Sequence, residues 1–167
     1  MIGGRRRFTR DRQGRFRAGL GAGERRLLKS LPAQVQGLLE EHHPFTQRVF
    51  PVAYPTDEKA QEEYREIMGG HLLIRHQHAL DVLTSTVDSP SIDEEEIREW
   101  LDALEVLRLV LGTQLDVSED PAMVDESDPR APQLAVYGYL SILQGEIIES
   151  LSELLPDDAA GGQGVEE

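Results

Sequence analysis

The sequence predicts a mainly α-helical protein: a bundle of four to five helices with a small N-terminal β-hairpin. Three features predict it. Leucine, isoleucine and valine recur at three- and four-residue steps through most of the chain, the spacing that lines one face of a helix. Aromatic residues make up only 5%, so the core must be built chiefly from aliphatic side chains. Near the N-terminus, Phe8 and Phe16 flank the turn-like run Asp11-Arg12-Gln13-Gly14, in which Gly14 can supply a positive φ.

The elements follow in order. Gly23 to His42 reads as a helix, with Leu27, Leu28, Leu31, Val35, Leu38 and Leu39 on one face. Pro32 lacks the amide that would bond the Leu28 carbonyl, which predicts a kink or two short helices. His43 to Pro55, with three prolines, reads as a loop. Thr56 or Asp57 then offers an N-cap to a helix carrying Ala60, Tyr64, Ile67 and Met68 on one side. Gly69-Gly70 weakens that helix. The pattern resumes with Leu72, Leu73, Leu80, Val82 and Leu83 and stops near Asp88-Ser89-Pro90.

Asp93 to Leu115 is the clearest helix. Ile97, Trp100, Leu101, Leu104, Leu107, Leu111 and Leu115 form a continuous stripe, and Asp93 with Glu96 resembles a capping box. Asp116 to Asp128 is acidic enough to be a solvated loop. Asp128 should cap a last helix beginning at Pro129. Its apolar side is Leu134, Tyr137, Leu140, Leu143, Ile147, Ile148, Leu151 and Leu154, and Pro156 ends it. The domain organisation is therefore a mobile basic arm (1–6), a single helical domain with its hairpin (7–155) and a disordered acidic tail (156–167).

The chain has 167 residues, no cysteine and a net charge of -14. Without cysteine it has no disulfide, thiol nucleophile or thiol redox switch of its own. The charge is unevenly spread. Residues 1–30 carry ten basic side chains against two acidic ones, and the remainder seven against 29. Such asymmetry fits contact between Arg5, Arg6, Arg7, Arg10, Arg12, Arg15 and Arg17 and a polyanion or partner. It fits better a basic segment lying against an acidic body of its own chain or of a partner, because the acidity of the whole chain opposes non-specific nucleic-acid binding. No apolar stretch approaches the ~20 residues of a membrane span. Arg5-Arg6-Arg7-Phe8 is superficially like a twin-arginine signal, but polar residues follow it, so a cytoplasmic location is expected.

Motifs for bond-making chemistry are missing. His71, His76 and His78 are five and two apart, whereas a helical metal pair needs three or four. His78 and Asp81 could share a proton, or simply form a surface pair. Asp93-Glu94-Glu95-Glu96 suits a helix N-terminus. Gly19, Gly21 and Gly23 do not make a phosphate loop and read as a hinge between hairpin and helix. No GxSxG or SxxK occurs. No catalytic residue, cofactor or metal site is expected, and no DNA-reading module follows the arginines. A protein partner is expected, with DNA as a further partner through the N-terminal arginines.

Three segments carry a family resemblance: Phe50-Pro51-Val52-Ala53-Tyr54-Pro55-Thr56-Asp57 with Glu63-Tyr64-Arg65; Leu104 to Gly112 with Thr113-Gln114-Leu115-Asp116-Val117; and Tyr137-Gly138-Tyr139-Leu140-Ser141-Ile142-Leu143-Gln144. Together they resemble the actinobacterial AosR family, long catalogued as a domain of unknown function. The likeness runs from Phe8 to Leu154. It implies a cytoplasmic, non-enzymatic regulator of the oxidative-stress response that acts on transcription with an alternative sigma factor and controls genes for a cysteine-synthesis route. Sensing in that family uses cysteines, and this chain departs from it there. The alternative is a helical adaptor or scaffold that contacts proteins and no nucleic acid, with the acidic surfaces of 93–99 and 116–128 steering a basic partner.

Overall fold

Two short strands, β1 (Phe8–Arg10) and β2 (Phe16–Ala18), pair antiparallel in a computed structural model that describes residues 6–117 and 126–153. The turn is built by Asp11. Its carbonyl accepts from the Gly14 amide at 3.2 Å, and its carboxylate accepts from the Gln13 and Arg15 amides at 2.8 and 3.0 Å. Gly14 sits at φ +81°, the left-handed conformation a glycine adopts without steric cost. The hairpin's inner face is Phe8, Phe16 and Ala18, all buried. Phe16 also exchanges two backbone hydrogen bonds with Ile92, at 2.7 and 2.8 Å, so the hairpin is stitched to a distant connection.

Helix α1 (Ala22–Glu40) follows, then a 3-10 helix (Pro44–Val49), α2 (Glu58–Thr86), α3 (Glu94–Gln114) and α4 (Ala131–Ser152). The expected class, a helical bundle with a small N-terminal hairpin, is what forms. Helix α3 is its centre and packs on α1, α2, α4 and the 3-10 helix. Its stripe is wider than the leucine pattern suggests, because Ala103, Val106 and Val110 are buried beside Ile97, Trp100, Leu104 and Leu107. Leu28 and Leu39 of α1, Leu80 and Leu83 of α2, and Leu140, Leu143 and Ile147 of α4 complete the core. Fully burying one such side chain contributes about 1.5–3 kcal/mol.

Several expectations change. Helix α1 is one continuous helix, with Pro32 buried inside it; the proline sits on the packed face with Leu28 and Val35, and that burial offsets the lost backbone bond. The expected loop of residues 43–55 contains the 3-10 helix. It starts at Pro44, with the His43 Nδ1 accepting from the Phe45 amide at 3.1 Å, and buries Thr46 and Val49. Helix α4 begins two residues later than expected. The Asp128 carboxylate accepts from the Arg130 amide at 2.8 Å and its carbonyl from the Ala131 amide at 2.9 Å, which leaves Pro129 in the preceding turn. Leu154, Pro156, most of the acidic loop (118–125) and the tail (156–167) lie outside the described residues.

Helix α2 departs furthest from expectation. It runs unbroken through Gly69-Gly70 for 29 residues, capped by the Asp57 carboxylate on the Ala60 amide at 3.1 Å. At 1.5 Å per residue it is about 43 Å long, against about 31 Å for the 21 residues of α3. The helix therefore overhangs its neighbours. Ile67 is 68% exposed and Ile74 67%, although both lie on an apolar line. Only from Ala79 onward does α2 bury aliphatic side chains fully. Among the described residues no helix is long and apolar enough to cross a membrane.

Candidate functional site

The hairpin places the predicted arginines in three different situations. Arg5 lies outside the described residues. Arg6 donates to Glu153 at 2.6 Å and lies 3.9 Å from Glu149, with all three side chains exposed. Arg7 is held more firmly. Its Nε donates to Glu24 at 2.9 Å, its Nη1 to Glu146 at 2.7 Å, and its guanidinium lies 5.9 Å from the centre of the Tyr139 ring. Arg15 donates to the Ser91 hydroxyl and carbonyl. Arg10, Arg12 and Arg17 are exposed and make no side-chain hydrogen bond or ion pair among the described residues. The six described arginines are thus not one surface. Arg6 and Arg7 lie against the chain's own acidic side chains, Arg15 braces the α2–α3 connection, and Arg10, Arg12 and Arg17 face solvent.

Glu24 is the centre of the clamp. One carboxylate oxygen accepts from Arg7 and from the Tyr139 hydroxyl at 3.0 Å, and the other accepts from the Gly21 amide at 2.7 Å. The carboxylate thereby caps α1 while joining the hairpin to α4. Burial alone would raise the Glu24 pKa, but the Gly21 amide, Tyr139 and Arg7 outweigh it and hold the carboxyl below the usual range. Burial, then Glu24, pushes the Tyr139 hydroxyl above its ordinary value.

A folded-state carboxyl below its unfolded value stabilises fully above the unfolded pKa, about 4.3, and that contribution is lost as pH falls through the folded value. Glu24→Gln is therefore expected to lower stability by about 2 kcal/mol at neutral pH and to flatten the loss seen on acidification. Tyr139 has the opposite sense. Its raised pKa stabilises below about pH 10 and the contribution is lost above it, so Tyr139→Phe should flatten the alkaline limb. Urea titrations across pH check both.

On the outer side of the hairpin lies a cleft of about 440 Å³, lined by Arg6, Arg7, Thr9, Arg17, Gly19 and Arg25 among others, with no carboxylate among the described residues of its lining. Arg25 is the residue that sequence reasoning missed. It donates to the Leu20 and Ala18 carbonyls at 3.1 and 3.0 Å and to the Val87 carbonyl.

A second surface belongs to the overhang of α2. Val52, Tyr54, Ile67, Met68 and Ile74 are exposed there. The preceding segment is laid along the helix. Tyr54 donates its amide to the Gln61 side chain at 2.9 Å and packs edge-on against Tyr64, and the His76 Nε2 donates to the Val49 carbonyl at 2.8 Å. A cavity of about 480 Å³ between the two is lined by Phe50, Val52, Tyr64 and Leu72 among others. The expected His78–Asp81 pair does not form. Asp81 accepts from Gln36 at 2.7 Å, while His78 lies 3.9 Å from Glu99. Among the described residues no group of three or more His, Asp or Glu side chains is placed to hold a metal ion.

An aliphatic helical bundle, an N-terminal hairpin clamped by Glu24 and Glu146, and an overhanging second helix define the class of protein. The chain belongs to the family described as a domain of unknown function, DUF2017, whose model matches residues 5–151. No curated protein and no solved structure matches it.

Proposed function

We propose that this protein is a non-enzymatic, cytoplasmic regulator that works by binding another protein, and that it acts in the transcriptional response to oxidative stress in the manner of the AosR family it resembles. The observation that carries the reading is the overhang of α2. Ile67 and Ile74 are seven residues apart on one line of the helix and both are exposed. Gly69 and Gly70 between them have nothing within 4 Å of where a Cβ would sit. Two glycines cost a helix about 2 kcal/mol together, and no packing among the described residues accounts for them. An incoming partner's backbone would. The resemblance names that partner as an alternative sigma factor. With no cysteine in the chain, the signal reaches it by a route other than its own disulfide.

DNA contact in this reading falls to Arg10, Arg12 and Arg17. The adaptor that touches no nucleic acid draws support from Arg6 and Arg7, whose charges face Glu24, Glu146, Glu149 and Glu153. The deciding experiment is a pull-down of purified sigma factor in the presence of nuclease. The wild-type chain should retain it, and Ile67→Glu/Ile74→Glu should lose at least about tenfold in affinity with unchanged circular dichroism. Equal retention by that variant would remove the α2 surface from the mechanism. In mobility shifts, DNA binding that weakens steeply with salt and disappears in Arg10→Ala/Arg12→Ala/Arg17→Ala separates the transcriptional reading from the adaptor.

A further inference from the structure

We propose that the cleft between the outer face of the hairpin and the start of α1 binds a small phosphorylated compound bearing two or more adjacent phosphoryl groups. The inference is independent of the α2 surface and supplies what a cysteine-free regulator lacks, a ligand to respond to.

In a chain of net charge -14, a cleft of about 440 Å³ is lined by Arg6, Arg7, Arg17 and Arg25 and, among the described residues, by no carboxylate; Arg6 and Arg7 are already paired with glutamates, so its uncompensated charge comes from Arg17 and Arg25. Arg17 is exposed and makes no side-chain hydrogen bond or ion pair among the described residues; only the more distant charge of Asp11 acts on it. Arg25 is fixed in place by three backbone carbonyls, and its nearest carboxylate, Asp88 at 3.9 Å, is also paired with Lys29. Its charge is thus ordered but weakly compensated. Thr9 lies directly across from Arg17 in the strand register, which puts a hydroxyl beside the free guanidinium. Planar guanidinium groups present paired N–H donors that match phosphate oxygens.

The rim decides the size of the ligand. Exposed carboxylates of Glu149 and Glu153 stand beside Arg6, and Asp88 stands beside Arg25. A long polyanion crossing that rim meets like charge, whereas a compact anion enters the cleft without doing so. The observations therefore favour a small phosphate compound over a nucleic-acid backbone.

Tripolyphosphate is the probe, titrated calorimetrically into the full chain at low salt. Saturable binding is expected, with sulfate much weaker. Arg17→Ala should weaken it by about tenfold or more with little change in the ligand-free melting temperature, since the Arg17 side chain is exposed and makes no hydrogen bond or ion pair among the described residues. Arg65→Ala, an exposed arginine on α2, should bind as the wild type does. Absence of saturable binding, or equal binding by Arg17→Ala, would overturn the proposal. So would a short DNA duplex that binds more tightly than tripolyphosphate with the same dependence on Arg17, because that result assigns the cleft to a nucleic-acid backbone.

Discussion

Trp100→Ala is expected to cost about 3–5 kcal/mol, enough to remove much of the total stability of a domain this size, typically about 5–15 kcal/mol. Trp100 is fully buried on α3, the helix that every other packed helix touches. Its ring meets the edge of Phe8 with centroids 6.1 Å apart. Its indole N–H donates to the Thr86 hydroxyl at 2.7 Å, and that hydroxyl donates in turn to the Val82 carbonyl at 2.6 Å. Truncation therefore opens a cavity where hairpin, α2 and α3 meet, and a well-packed interior relaxes only partly to fill it. Trp100→Phe is the informative companion. It keeps most of the volume and leaves Thr86 bonded to Val82, so a loss of about 1–2 kcal/mol is expected. Urea unfolding followed by far-ultraviolet circular dichroism measures both, because the only tryptophan is absent from each variant. Equal losses for the two variants would contradict the cavity argument.

What the sequence made legible was the helical periodicity and, where a cap was present, its start. Helix α3 could be read almost to the residue because one stripe faces the core along its whole length and Asp93 caps it through the Glu96 amide at 2.8 Å. Helix α2 could not. Its pattern of Ala60, Tyr64, Ile67 and Met68 is that of an amphipathic helix, and a pattern says which residues share a face without saying whether anything lies opposite. The answer depends on the lengths of α2 and α3, which become comparable only once both helices are placed. The 3-10 helix was hidden for another reason. Six residues between prolines hold no helical period, and its cap is a histidine nitrogen.

The arginines show the same boundary between what is local and what is not. Ten basic residues near the N-terminus are countable in the sequence, but which of them are answered is decided by partners far along the chain. Arg7 pairs with Glu24, 17 residues away, and with Glu146, 139 residues away. The suggestion of a segment lying on its own acidic body describes Arg6 and Arg7; Arg10, Arg12 and Arg17 are exposed, with no hydrogen bond or ion pair among the described residues. Arg25 escaped notice because its role comes from backbone carbonyls, which leave no mark in the sequence.

Phe16→Ala is the second large expected effect, again about 3–5 kcal/mol, but it should appear as a local event. A two-stranded hairpin of this size is marginal by itself in water, so its order depends on what its inner face covers. Phe16 is fully buried there, and its backbone bonds with Ile92 tie β2 to the α2–α3 connection. Losing the ring removes most of the apolar area that holds those bonds in register, while the packing of α1, α2, α3 and α4 on one another is untouched. The hairpin should then detach before the bundle unfolds. Trp100 reports the step, since Phe8 packs against it from β1: detachment should shift tryptophan emission to the red at urea concentrations where helical circular dichroism is still intact. Amide exchange at Phe16 and Ile92 should accelerate together, because each amide donates to the other's carbonyl. A single transition seen identically by fluorescence and circular dichroism would mean that hairpin and bundle fold as one unit, and that Phe16 stabilises the whole and not its edge.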